Sequence, residues 1–266
     1  MSRIIIKAVD RVVNSLRRRE LKLARAIAVE DLILLKKLLE RGIDPNFTLA
    51  DKFNTPLIFS VFTKEYFTLP QRNIGDRYEN LYHLTAKKEC LRLLLQYGAN
   101  PDVKDSTGRT PLETAIIWCM PDIVKLLLIY GADPNLKDSN GITPLMKTTI
   151  LGIQDARPIK DKLQIVMHLI DSGAEIDARS PNGKTALMYA TGNSRIEIVE
   201  LLVSSGASLS IEDNMGNKAC DIIDRAVTSK QRIHLQKVLT QPQLNVLKYK
   251  YQEFIPEGDR LLSSIL

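Results

Sequence analysis

Little in this chain invites covalent or metal chemistry. Its three cysteines, Cys90, Cys119 and Cys220, lie far apart and form no CxxC pair. Neither a disulfide framework nor a zinc site is expected from them. They read as small apolar filler in a reducing compartment. The three histidines, His83, His168 and His234, are scattered. GxGxxG, GxSxG and HExxH are all absent, so the commonest nucleotide, serine-hydrolase and zinc-protease signatures are missing. NGKT at 182–185 ends like a phosphate-binding loop, but Ala178 stands where the first glycine is required. No apolar run approaches the roughly 20 residues of a membrane-spanning helix. The start, MSRIIIKAVD, carries an isoleucine run too short for a signal-peptide core. The expectation is a soluble protein without a conventional export signal.

Charge of one sign is also missing from most of the chain. The net charge is +6 over 266 residues, and residues 1–25 hold all of that excess. There Arg3, Lys7, Arg11, Arg17, Arg18, Arg19, Lys22 and Arg25 face only Asp10 and Glu20. Residues 26–266 are left with 29 basic and 29 acidic side chains. A nucleic-acid or membrane contact is therefore not expected except through residues 1–25.

What is present is a period. DSTGRTPLETA at 105–115 returns as DSNGITPLMKT at 138–148 and SPNGKTALMYA at 180–190. A glycine follows each leucine-rich run, at Gly42, Gly98, Gly131, Gly173 and Gly206, with gaps of 56, 33, 42 and 33. The base unit is 33 residues, lengthened twice by insertions. Each unit reads physically. The threonine supplies a cap oxygen and the proline takes the first helical position, where no N–H is needed. A short helix follows, as in LETAIIW. A second, as in PDIVKLLLIYG, has apolar residues at i, i+3, i+4 and i+7. Glycine ends it by taking a left-handed backbone. An extended stretch such as ADPNLKDSNG then turns tightly at Ser139-Asn140-Gly141. Neither helix can bury its apolar side alone, so the units must stack.

DxxGxTPL and GADPN at this fixed offset resemble the ankyrin repeat, over residues ~21–240. The resemblance implies an all-α ankyrin-repeat solenoid of about six helix-turn-helix units with short β-hairpin-like turns. The units fall at about 21–50, 51–104, 105–137, 138–179, 180–212 and 213–240. The first lacks the Thr-Pro turn and resembles an N-terminal cap. The last has Lys218-Ala219-Cys220 in place of Thr-Pro-Leu and resembles a degenerate C-terminal cap. The family's histidine after TPL is replaced by Ile58, Glu113, Met146 and Met188, which shifts the expected cohesion toward apolar packing. Phe53 stands where a turn glycine belongs, so that turn is expected to be distorted.

Two insertions fall between the helices of their units, at 64–86 and around 152–160. The first is aromatic: Phe53, Phe59, Phe62, Tyr66, Phe67, Tyr78 and Tyr82 cluster in or beside it. They either pin a long loop to its own repeat or anchor a partner. Residues 1–20 place Ile5, Val9, Val12 and Leu16 on one face of a basic amphipathic helix. That helix either covers the first repeat or meets an acidic partner, a membrane or, through LRRRELK, the import machinery. In the tail, 241–266, Leu244, Leu247, Tyr251 and Phe254 are expected to cap the last repeat.

The resemblance implies a non-catalytic protein-interaction module, an adaptor or inhibitor. The alternative is a targeting or effector protein working through its basic N-terminal helix. No small-molecule substrate, cofactor or metal is expected. Carried over position by position, the hairpin tips are Lys52, Asn54, Ser106, Thr107, Arg109, Ser139, Asn140, Ile142, Asn182 and Lys184. The inner-helix ends are Phe62, Thr63, Ile117, Trp118, Ile150, Leu151 and Asn193. Apolar Phe62, Ile117, Trp118 and Leu151 suggest either mutual packing or an exposed stripe for a protein helix or loop. The partner is expected to be another protein, met in the cytoplasm, in the nucleus, or in a host cytosol if the chain is a pathogen effector.

Overall fold

The computed structural model describes residues 18–47, 55–62, 77–150, 158–223 and 229–240. Within them, the side chains of Arg18, Phe59, Phe62, Ser229 and residues 77–85 are left aside. The described residues form helices and turns without strands. The helices are α1 (Arg18–Ala28), α2 (Leu32–Glu40), α3 (Pro56–Phe62), α4 (Arg77–Gln96), α5 (Pro111–Ile117) and α6 (Pro121–Ile129). They continue with α7 (Pro144–Ile150), α8 (Ile159–Asp171), α9 (Ala186–Gly192), α10 (Ile196–Ser204) and α11 (Ser229–Thr240). A single 3-10 turn, Ala219–Ile222, precedes α11.

The chain divides into two compact units, one of residues 1–118 and 122–133, the other of residues 119–121 and 134–266. In the first, α1, α3 and α5 pack in a row, α2 packs on α4, and the rows join through α1 on α2 and α3 on α4. In the second, α7, α9 and the 3-10 turn make one row, and α8, α10 and α11 the other. Each unit is thus two layers of helices with an apolar seam between them.

The seam follows from the sequence. Threonine caps the short helices: Thr110 Oγ1 accepts from Glu113 N at 3.1 Å, Thr143 Oγ1 from Met146 N at 3.3 Å, and Thr185 Oγ1 from Met188 N at 3.4 Å. Leu112, Leu145 and Leu187 then fall inward with at most 1% exposure. On the longer helices the i, i+3, i+4 spacing buries Ile123, Val124, Leu126 and Leu127, and likewise Ile198, Val199, Leu201 and Leu202. Burying one such side chain contributes about 1.5–3 kcal/mol. Ile58, Met146 and Met188 are also sealed, so the column that holds histidine in the family is largely apolar here.

Repeats are also tied by polar bonds, at another position. In four of the five GADPN-like stretches the fifth residue reaches the following repeat, while Ser210 of the last lies 3.1 Å from Ser208 Oγ. Asn46 Oδ1 accepts from Asn100 N at 2.7 Å while its Nδ2 donates to Gly98 O at 2.9 Å. Asn135 does the same with Glu175 N at 2.7 Å and Gly173 O at 3.0 Å. Asp102 and Asp177 have no amide to donate and keep only the accepting half, from Asp133 N at 3.0 Å and Ser208 N at 2.9 Å.

The glycines that end the second helices, at 42, 98, 131, 173 and 206, all have φ between +76° and +93°. The turn between the two helices of a repeat also needs a left-handed residue. There the chain uses Glu30, Cys119 and Ser194, with φ of 58°, 52° and 57°. In the last repeat, Lys218 brings no hydroxyl cap. Its N–H donates to Asp221 Oδ2 at 2.9 Å and only the 3-10 turn forms.

The long insertion departs from its reading as a loop. Residues 77–86 are helical and continue into the second helix of their repeat, making α4 20 residues long. No glycine or proline interrupts 77–96, so nothing stops the helix once it starts. Ile159 and Lys160 of the second insertion likewise belong to α8. Of the basic helix expected over 1–20, residues 18–20 belong to α1 and 1–17 lie outside the described residues, as do the turn at Phe53 and the 241–266 tail.

Candidate protein-binding surface

Each tight turn is tied from its first residue. In the first unit, Asp105 Oδ1 accepts from Thr107 N at 2.7 Å, Thr107 Oγ1 at 2.6 Å and Arg109 N at 2.9 Å. Asp105 N donates to Arg109 O, and Gly108 N to Asp105 O, both at 2.9 Å. Asp105 is buried by this while Ser106, Thr107 and Arg109 stand exposed. A turn held in this way has little backbone freedom left to lose on binding.

In the second unit the device recurs with different fillings. Asp138 Oδ1 accepts from Asn140 N and Ile142 N, both at 2.9 Å, and Oδ2 takes Lys147 Nζ at 2.6 Å. Ser139 and Asn140 are exposed and Ile142 is half-buried. Burial pushes the Asp138 carboxyl up. The hydrogen bonds from Lys147, Ile142 and Asn140 outweigh it and hold the carboxyl below its ordinary value. At 180 the acid is replaced by Ser180, whose Oγ lies 3.2 Å from Lys184 N and from Tyr189 Oη. Asp213 accepts from Asn217 N and Met215 N, both at 2.9 Å, and these bonds lower its carboxyl. Neighbouring tips in this unit are also joined: Arg179 Nη2 donates to Glu212 O at 2.9 Å, and Asn214 Nδ2 to Pro181 O at 2.8 Å. Gly141 must be glycine for space as well as φ, because a Cβ there would meet Pro181 Cγ at 2.7 Å.

Beside the tips lie the ends of the first-row helices. Ile117 and Trp118 are half-buried at the end of α5, where Trp118 N donates to Thr114 O at 3.0 Å. Ile150 ends α7 with 37% exposure. Asn193 is half-buried and donates Nδ2 to Thr149 O at 3.0 Å. In the first unit the structure brings together Ser106, Thr107, Arg109, Ile117 and Trp118 on one repeat. In the second it sets Ser139, Asn140 and Ile142 on the repeat that carries Ile150, with Lys184 half-buried at the turn after it. Lys52, Asn54, Thr63, Tyr66, Phe67 and Leu151, and the side chains of Phe62, Tyr78 and Tyr82, lie outside the described residues. The apolar stripe is therefore described only at Ile117 and Trp118.

One exposed residue was missed. Met215 is 85% exposed at the last tip. Aligning DSTG, DSNG, SPNG and DNMG shows the signal, since it takes the place of Thr107, Asn140 and Asn182. The three cysteines carry no disulfide, and burial pushes the Cys90 thiol up to about 12, far from a reactive thiolate. Among the described residues no cluster of His, Cys, Asp or Glu could hold a metal ion. Among them also, no helix is long and apolar enough to cross a membrane.

Short capped helix pairs stacked in two layers within each unit, joined by tied turns, define an ankyrin-repeat protein. The chain belongs to that family: a model of ankyrin repeats matches three times, over residues 65–138, 120–213 and 153–233. It is similar to a putative ankyrin repeat protein, L271, of Acanthamoeba polyphaga mimivirus, with 39% identity over 57 residues. That match spans 21% of this chain and 8% of the viral protein. The crystal structure of EF0377, an ankyrin repeat protein, superimposes with a TM-score of 0.60 at 23% identity, covering 83% of this chain and 96% of EF0377. That likeness concerns the fold alone.

Proposed function

We propose that the chain is a non-catalytic interaction module, an adaptor or inhibitor that grips a partner protein with its turn tips and first-row helix ends. The observation that carries this is the tying of the turns. Asp105 and Asp138 spend their carboxylates inside their turns, so Ser106, Thr107 and Arg109 in the first unit, and Ser139 and Asn140 in the second, are each presented on a stiff turn. Trp118 and Arg109 belong to the residue types that dominate interface energetics. Ile117, Ile142 and Met215 add apolar contact. The family's general use in protein–protein interaction supports the same reading. The aromatic insertion at 64–86 belongs to this proposal on sequence grounds alone.

The experiment is a pair of variants assayed against a binder selected from a displayed protein library with the wild-type chain. Arg109→Ala with Trp118→Ala should weaken binding roughly 700-fold or more, since two anchors of this type cost ~2 kcal/mol or more each. Lys125→Ala with Ile129→Ala, on the second-row helix α6, should leave binding intact. Equal loss from both pairs, or none from the first, would remove these tips as the binding surface.

A further inference from the structure

The N-terminal end of the array presents a second surface, built differently from the first. In α1 the exposed residues Arg19, Lys22 and Arg25 recur at three-residue steps along one side, and Val29 stands exposed in the turn that follows. In α2 the exposed residues are Ile33, Lys36, Lys37 and Glu40. Because α1 packs on α3 and α2 on α4, the exposed sides of both helices face away from the other described helices of the first unit.

Two residues there are out of character. Val29 is 63% exposed and Ile33 84%. Ile33 lies nine residues before the helix-ending Gly42. At the same step before the other four glycines stand Glu89, Asp122, Gln164 and Glu197. The other four repeats are polar at this position, and here a branched apolar side chain stands in water. Around the pair are Arg19, Lys22, Arg25, Lys36 and Lys37. Of the acids on this stretch, Glu20 and Glu30 are half-buried and Asp31 and Glu40 exposed. Asp31 caps α2 by accepting from Leu34 N at 2.9 Å, and Glu40 lies 3.9 Å from Lys36.

We propose that this end of the array is a peripheral membrane-docking face for anionic phospholipid. Residues 1–17 of the same chain do not supply the missing negative charge, since Arg3, Lys7, Arg11 and Arg17 outnumber Asp10. They add to the same field instead. Ile33 projects from the first turn of α2 and Val29 from the turn just before it, rather than lining a groove. A partner protein would have to bring a pocket for them, whereas a bilayer interface receives projecting apolar side chains directly. The flanking lysines and arginines lay their apolar stems along that boundary and carry their charges to the phosphates. Each basic side chain near an anionic leaflet strengthens binding about 5-fold.

The test is co-sedimentation of the full chain with phosphatidylcholine vesicles containing about 30 mol% phosphatidylserine. The wild type should sediment with them, should be released by high salt, and should ignore pure phosphatidylcholine. Lys22→Gln with Arg25→Gln should weaken retention roughly 25-fold. Val29→Ser with Ile33→Ser should weaken it roughly 10-fold at constant charge. Should the first variant lose its helical circular dichroism, Lys36→Gln with Lys37→Gln, two exposed positions, should show the same loss. The proposal is overturned if the wild type stays in solution. It is equally overturned if the charge and serine variants sediment like the wild type while Arg3→Gln with Lys7→Gln and Arg11→Gln alone abolishes retention. Capture on poly-glutamate resin without capture on the vesicles would assign the face to an acidic protein and also overturn it.

Discussion

The bridges between repeats offer the most quantitative test of how this array coheres. Asn135 makes two bonds to the next repeat, accepting from Glu175 N at 2.7 Å and donating to Gly173 O at 3.0 Å. A net hydrogen bond contributes about 0.5–1.5 kcal/mol, and these are accessible to water, so the lower half of that range applies to each. Asn135→Ala should therefore cost about 1–2 kcal/mol. Asn135→Asp keeps the acceptor and loses the donor, which reproduces what Asp102 and Asp177 do naturally, and should cost about half as much. The assay is urea denaturation followed by circular dichroism, with both variants compared at a common slope. Any effect of the carboxylate's added charge is separated by repeating the series at high salt. If Asn135→Ala falls within about 0.5 kcal/mol of wild type, the ordinary scatter of surface changes, these bridges do not hold the repeats together. If Asn135→Asp costs as much as Asn135→Ala, the split into two bonds is wrong.

Other outcomes follow from the same geometry. Ser194→Gly relieves a left-handed residue with φ of 57°. The relief of ~1–2 kcal/mol, less the glycine's unfolded-state entropy of ~0.4–1 kcal/mol, predicts a gain of roughly 0.5–1 kcal/mol in urea unfolding. Gly173→Ala, with φ of +88° and open space around its Cβ, should cost ~1–2 kcal/mol from backbone strain alone. Met146→Ala at a fully buried position should cost ~2–5 kcal/mol, far more than the loss of any bridge. The Asp138 carboxyl is held below its ordinary value of 3.8. Its contribution is complete above that value and is lost as pH falls through the lower folded value. Stability differences between wild type and Lys147→Met should accordingly shrink in that acid range, and stay constant between neutral pH and the ordinary carboxylate value.

Much of the fold was legible because the repeat writes its boundaries in side chains with fixed chemistry. Threonine before proline marks the caps seen at Thr110 and Thr143, and glycine after the leucine runs marks the left-handed ends at Gly131 and Gly173. Positions where an unfavoured residue does a glycine's work carried no such mark. Glu30, Cys119 and Ser194 take positive φ because the helices on either side are already packed, and no local propensity announces it. The helical stretch at 77–86 was misread from excess length, although RYENLYHLTA runs into KKECLRLLLQ without a breaker. For the binding surface, the tips could be placed by register, and the exposed side chains at 106, 107, 109, 139 and 140 follow from that register. Exposure at Met215, Val29 and Ile33 emerges only when repeats are laid over one another and the odd residue in a column is compared with its burial in the structure.

The most direct measurement of the central claim is hydrogen exchange of the whole chain, alone and saturated with a selected protein binder. A surface made of tied turns and helix ends predicts new protection at backbone amides 106–109 and 117–119, or at 139–142 and 214–217, with the second-row helices α6 and α10 unchanged. Protection confined to α6 or α10, with every tip exchanging as in the free chain, would contradict it.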